Sequence, residues 1–186
     1  MNRATAVVAE IVGAIEPFDE RERDQIGEAL RWLASTDDVF RRVKPDTPPR
    51  HLVSYTVLVD GRRGAILLGR HRLAGLWLPA GGHVDPGEHP LETARREADE
   101  EMGIPEADFG LLGAAPVFLT ITPTHEDGHE DVSLWYVLRG DSTREYVLDP
   151  REFDGGQWWD IDSFAITDTD PSLPRFLKKL TAALAR

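Results

Sequence analysis

Residues 82–104 read GHVDPGEHPLETARREADEEMGI, a glycine loop that runs into a short helix with Glu97, Glu100 and Glu101 on one side. An α-helix advances about 100° per residue, so these three carboxylates share an arc of roughly 100° and repel one another. Divalent cations relieve such repulsion, and hard ions such as Mg2+ or Mn2+ accept oxygen ligands of this kind. The other face carries Leu91, Ala94, Ala98 and Met102 at near-helical spacing, with residues small enough to approach a sheet closely. The acidic face is therefore expected to point outwards. Taken alone, a run of mixed charge such as the i,i+4 pair Glu92 and Arg96 is equally what a solvated helix carries.

The order Gly82, five residues, Glu88, seven residues, Arg96-Glu97-Ala98, one residue, Glu100-Glu101, one residue, Gly103-Ile104 resembles the Nudix box at every fixed position. Nine specified positions at set spacing are far more specific than a lone glycine motif. Outside the box the similarity is looser. Over residues 51–186 only the order of elements matches, and residues 1–46 have no counterpart in a minimal Nudix domain.

The resemblance implies an α/β/α sandwich around a mixed sheet, with residues 1–46 as an N-terminal helical extension and 47–186 as the Nudix domain. It also implies a Mg2+- or Mn2+-dependent pyrophosphohydrolase that cleaves the diphosphate linkage of a (d)NTP or modified nucleotide. ADP-ribose or nucleotide-sugar hydrolysis is the alternative substrate class. A non-catalytic nucleotide sensor is the alternative function, although such domains usually carry damaged boxes. Isopentenyl diphosphate isomerisation on a similar fold uses a catalytic cysteine, and this chain has none.

Carried over from the family, Glu97 and Glu101 are the principal metal ligands, Glu100 completes the site and the carbonyl of Gly81 is a further ligand. The general base is Glu100 or Glu97, or an acid from a later loop. Arg96 and Glu88 hold loop and helix in register, because opposite charges can fix the geometry a metal requires.

Composition narrows the classes further. The chain has 186 residues, enough for one domain with an extension and a real core. A net charge of −12 and a pI near 4.9 argue against a nucleic-acid surface, whereas a small nucleotide can still bind through bridging metal ions. The absence of cysteine excludes disulfides, thiolate catalysis and cysteine-based zinc sites. The first twenty residues lack the pattern of a signal peptide and no apolar run reaches membrane-span length, so a cytoplasmic protein without a membrane partner is expected.

Along the chain, Val7, Val8, Ile11, Val12 and Ile15 predict one amphipathic helix before Pro17. Asp19 as N-cap, with Ile26, Ala29, Leu30 and Leu33, predicts a second. Pro45, Pro48 and Pro49 then mark a boundary. Three uses are open to these helices: packing on the sheet, capping the cleft or forming a homodimer interface. Strands are expected over 52–59, ending at the turn signal Asp60-Gly61, and over 65–68, 76–78, 118–122, 132–138 and 157–161. Leu173, Phe176, Leu177, Leu180 and Leu184 predict a closing helix.

The segment THEDGHED, residues 124–131, offers Glu126, Asp127, Glu130 and Asp131 as a last ligand or base, Asp131 being counted with the metal set. An ordinary polar turn around Gly128 explains it equally well. A zinc site from His125 and His129 is disfavoured by the oxygen-rich surroundings. Arg70 and Arg72 are candidates to meet substrate phosphates, and Phe118 and Trp158 to stack on a base, against the alternatives of turn surface and core.

Substrate branches are narrowed by mismatch. Residues 67–82 do not reproduce the arginine-containing signature of coenzyme A hydrolases. Phe118 stands where ADP-ribose hydrolases often carry proline, and Leu119, Thr120 and Ile121 stand where dinucleoside polyphosphate hydrolases often carry tyrosine. The only asparagine is Asn2, which weakens the oxidised-guanine branch.

Overall fold

The computed structural model describes residues 2–42, 47–123, 129–162 and 166–185. Its central strand is β1 (Arg50–Asp60), in the β-branched and aromatic run that favours a pleated surface. Asp60 closes the following turn by accepting from the backbone N–H groups of Arg62 and Arg63, both at 3.1 Å. The chain returns as β2 (Ala65–His71), with Asp60 opposite Ala65 and Leu58 opposite Leu67.

Next come β3 (Trp77–Leu78) and β4 (Ala80–His83), then α3 (Pro90–Met102), β5 (Phe118–Pro123), β6 (Glu130–Arg139), β7 (Phe153–Asp160) and α4 (Leu173–Leu184). The N-terminal helices α1 (Arg3–Gly13) and α2 (Glu20–Ser35) precede them.

Among the described residues seven strands form one mixed sheet, whose main path runs β3-β2-β1-β6-β5 with β4 and β7 off it. β1 and β6 run parallel in register from Arg50 opposite Glu130 to Val59 opposite Arg139. On its other side β1 changes partner along its length: residues 53–56 pair with β4, and 58–60 with β2. β7 adds to β2. Strand β4 is the element the sequence did not announce. Its Ala-Gly-Gly-His composition is poor in β-formers and read as a loop, whereas backbone pairing with β1 fixes it as a strand.

Alternation divides β1 between two cores. Leu52 and Leu58 join the cluster shared by α1, α2 and α3, while Val57 and Val59 join Trp135, Phe176 and Leu180 under α4. The result is a mixed sheet between helical layers.

The N-terminal helices pack within this chain. Val8, Val12, Ile26, Ala29 and Leu33 belong to the same apolar cluster as Leu119 and Leu134 of the sheet. α2 also satisfies polar groups of β5: Glu22 Oε1 accepts from Leu119 N at 3.3 Å, and Gln25 Nε2 donates to Ile121 O at 3.1 Å. Unpaired strand edges invite association, and α2 covers this one. The buried Glu22 carboxylate also accepts from Phe18 N at 2.7 Å and Lys179 Nζ at 2.8 Å, so its charge is paired. The expected boundary near Pro45 and Asp46 lies outside the described residues.

Asp19 does two jobs at the start of α2. Its Oδ1 accepts from Glu22 N at 2.8 Å, satisfying a free helix N–H, and its carboxylate receives Arg175 of α4 through Nε at 2.8 Å and Nη2 at 2.6 Å. The Arg175 hydrogen bonds are the main reason its pKa falls from 3.8 to about 2, against the opposing effect of burial. Because the folded value lies below the unfolded one, the stabilisation is complete above about pH 4 and is lost as pH falls towards 2. Asp19→Ala is expected to cost about 1 kcal/mol in urea unfolding at pH 6. The gap from the parent should narrow at pH 3; a gap independent of pH over that range would refute the ion-pair contribution.

Candidate metal centre and catalytic site

α3 begins with Pro90, whose missing N–H costs nothing at the first helical turn, and ends at Gly103, whose φ of 64° is left-handed. Ile104 N bonds back to Ala98 O at 3.0 Å and closes the terminus. Two side chains of β1 hold the helix down: Ser54 Oγ donates to Pro90 O at 2.9 Å, and Thr56 Oγ1 to Ala94 O at 3.0 Å. Ala94 and Ala98, fully buried, allow that approach.

The two glycines of β4 complete it. A Cβ on Gly81 would stand 2.5 Å from Ser54 O, and one on Gly82 would overlap the Glu97 carboxylate. Helix and strand are thus close enough to bury Glu97 and Glu101, which are only 7% and 8% exposed. This corrects the expectation of an acidic face pointing outwards. Of the three, Glu100 alone is mainly exposed. Positions 97 and 101 sit one turn apart beside Ala94 and Ala98, and so turn towards the strand.

Each buried carboxylate has a specific donor. Glu101 Oε2 accepts from Gly81 N at 2.8 Å, and Glu97 Oε1 from Arg96 Nη1 at 2.6 Å. Arg96 also reaches Glu100 Oε2 at 3.3 Å, His83 O at 3.3 Å and both oxygens of Glu88, through Nε at 3.1 Å and Nη2 at 3.2 Å. Glu88 in turn accepts from Thr93 Oγ1 at 2.8 Å and Asp85 N at 3.2 Å. Arg96 therefore ties loop, helix and carboxylates into one network.

Burial pushes the Glu101 carboxyl up to about 8; the Gly81 N–H opposes the rise, and the charges of Glu97, Glu152 and Asp149 add to it. Burial raises Glu97 too, against the pull of Arg96. In contrast, burial is the largest single influence on Glu88, but the hydrogen bonds from Arg96, Thr93 and the Asp85 N–H together outweigh it and hold the carboxyl low. Two carboxylates whose surroundings disfavour their charged forms, next to a backbone free of side chains, suit a hard divalent cation. Glu97, Glu100 and Glu101 are the oxygen donors here that could hold such an ion.

The other expected residues have varied settings. Arg70 lies over the Trp77 ring, 5.8 Å from its centroid, with Asp168 Oδ2 at 3.9 Å. Arg72 pairs with Asp154 at 2.7 Å. Phe118 is wholly buried between Trp135 and Phe176, with ring centroids at 5.8 and 6.0 Å. It is core rather than a base-stacking platform, because alternation along β5 turns it under α4. Trp158 is half-buried on β7, edge-on to Tyr146 at 5.9 Å.

Glu126, Asp127, His125 and Gly128 lie outside the described residues. Asp131 stands beside His51, with Oδ1 3.1 Å from Nε2. Among the described residues, the group whose donor atoms converge is His51, His129 and Asp131, not the box glutamates. His83 of β4 lies close by, its ring 4.8 Å from that of His51 and its Nδ1 2.6 Å from Arg41 Nη1. Burial and Arg41 hold its pKa down at about 4.

Sequence reasoning missed His51 and His83, which only strand register brings to Asp131. It also missed Asp149 and Glu152, whose charges reach Glu101 from the segment before β7. Asp149 N bonds Glu101 O at 2.9 Å, a contact without a local sequence signal.

Comparison with known proteins agrees with this architecture. The chain is 36% identical over 112 residues to an uncharacterised Nudix hydrolase of Rhodococcus erythropolis, covering 57% of each chain. It is 68% identical over 36 residues to the asymmetrical bis(5'-nucleosyl)-tetraphosphatase of Rattus norvegicus, covering 19% of this chain and 24% of that one. The chain thus spans from about a quarter to just over half the length of these curated relatives. The solved structure of the E. coli dihydroneopterin triphosphate pyrophosphohydrolase superposes with a TM-score of 0.59 over 77% of this chain and 98% of that one; at 17% identity the likeness concerns the fold. The NUDIX domain family model matches residues 49–180, and with a complete box on α3 the chain belongs to the Nudix family.

Proposed function

We propose that this chain is a Mg2+- or Mn2+-dependent pyrophosphohydrolase that cleaves the diphosphate linkage of a nucleoside diphosphate derivative, with a (d)NTP or modified nucleotide as its substrate class. The observation that carries the reading is the pair of buried carboxylates, Glu97 and Glu101, against the glycine backbone of β4. Leaving two charges there without a cation is costly. Bound at this point, the metal would neutralise phosphate oxygens and render a water nucleophilic near neutral pH.

The chain's own residues do the rest. Glu97 and Glu101 are the principal ligands, supported by Glu100 and the carbonyl of Gly81. Glu100, mainly exposed and only 3.3 Å from Arg96 Nη1, is the box glutamate able to take a proton from water at the solvent boundary. Arg96 is a positioning residue, since it orients Glu97 and Glu88. Arg70 and Arg72 remain candidates for substrate phosphates, and Trp158, half-buried, for the base. Asp131, beside His51, is left out of this ligand set. Residues 1–46 act as a helical extension that supports the sheet, and the Nudix domain is assigned to 47–186.

Similarity to a bis(5'-nucleosyl)-tetraphosphatase, whose name specifies a polyphosphate chain, supports this substrate class. The test is release of phosphate or pyrophosphate with Mg2+ and Mn2+ from nucleoside triphosphates, oxidised nucleotides, ADP-ribose, nucleotide sugars and dinucleoside polyphosphates. Turnover of one class that chelator abolishes is expected. Binding without turnover across the panel would instead favour a nucleotide sensor.

Two variants probe the site. Glu101→Gln should lower turnover by orders of magnitude with the fold intact by circular dichroism; near-normal activity in the folded variant would refute its role. Gly82→Ala drives a methyl group into the Glu97 carboxylate and should cost about 10–100-fold in activity, with a raised Mg2+ requirement. An unchanged metal requirement would show that the close approach does not position the ligand.

A further inference from the structure

A second group of donors gathers at the N-terminal end of β1. His51 lies opposite Asp131 in the parallel β1/β6 register, so both side chains project from one face of the sheet. By alternation that face is the one carrying Val57 and Val59 towards α4, while α3 packs on the other through Ser54 and Thr56. His129 precedes Asp131 by two residues and shares its side; its ring centroid is 5.0 Å from that of His51. One donor atom from each of His51, His129 and Asp131 lies within 4.8 Å of the other two.

The chemistry at His51 is informative. The residue is fully buried, and its Nδ1 faces the carbonyl oxygen of Pro48 at 3.2 Å, which pairs with the ring only if Nδ1 carries the hydrogen. With the hydrogen on Nδ1, Nε2 is left as an acceptor, 3.1 Å from Asp131 Oδ1. Both atoms are buried, and neither meets a hydrogen-bond partner in good geometry. Two acceptors facing each other in a buried place call for a cation between them. Ligands about 2.1 Å from one tetrahedral ion stand roughly 3.4 Å apart, close to the spacing of this pair. A carbonyl holding the far nitrogen of a histidine is also the usual support of a metal-binding imidazole.

We propose that His51, His129 and Asp131 bind one divalent transition-metal ion of the zinc class, at a centre separate from the box glutamates. Two imidazole nitrogens and one carboxylate suit such an ion better than Mg2+, which takes oxygen ligands. A three-residue set leaves a coordination position for water, or for His83 beside it. The ion would join the start of β1 to the start of β6.

The test uses the full chain stripped of metal by chelator. Equilibrium dialysis against Zn2+ with elemental analysis should give one tightly bound equivalent, and Co2+ should produce a visible d–d band. His129→Ala and Asp131→Asn should each weaken Zn2+ at least 10-fold and abolish the band. The double variant Glu97→Gln/Glu101→Gln should retain both signals. His129 is partly exposed, so its truncation answers the question even if Asp131→Asn fails to fold by circular dichroism. Failure of the folded parent to bind one equivalent, undiminished binding in His129→Ala, or loss of the band in the glutamate double variant instead would each overturn the proposal.

Discussion

The structure depends on how closely β4 approaches α3. Side chains on Gly81 or Gly82 would collide with Ser54 O or with the Glu97 carboxylate, and without that contact the helix would stand off from the sheet. The approach buries two carboxylates that water would otherwise solvate, raising the proton affinity of both and leaving a cation as the natural counter-charge. Stability and function pull against each other here. Ala94 and Ala98 gain apolar burial from the contact, and the same contact desolvates the acids one turn along.

Arg96 limits that cost. Its guanidinium spans Glu88, Glu97, Glu100 and the carbonyl of His83, so one side chain neutralises part of the acidic cluster and fixes the loop before α3 to the helix itself. Glu101 receives a backbone N–H rather than a cation, and its carboxyl is the one held near 8. The two buried acids are therefore electrostatically unlike, although a helical wheel makes them equivalent. A planar fork with several donors serves this network where a lysine point charge would not.

Much of this was legible in the sequence. Periodicity gave α1, α2 and α4, with Asp19 as cap, because amphipathic spacing and capping are local. The β-branched runs likewise located β1, β2, β5 and β6 within a few residues. What escaped was set by distant partners. β4 is a strand only because residues 53–56 pair with it, and no propensity signal in Ala-Gly-Gly-His competes with that. The burial of Glu97 and Glu101 follows from the sheet the helix meets, not from the helix alone. Phe118 looked as suited to a cleft as to a core until the register of β5 turned it under α4. His51 and Asp131 are neighbours through parallel pairing, which leaves no trace in their spacing along the chain.

β4 also connects the two groups of donors. Gly82 lies against Glu97 on the α3 side, whereas His83, the next residue, projects from the other face beside His51. Alternation along a strand of four residues thus sets backbone against the box carboxylates and an imidazole beside the His51 group. The difference in donor type matters because first-row ions bind most N/O sites in the same order of affinity, leaving ligand chemistry and geometry to discriminate. Carboxylates alone favour Mg2+ or Mn2+, and paired imidazoles favour zinc-like ions. Opposite faces of one short strand in this way separate two chemically different sets of donors, without any difference in the backbone that carries them.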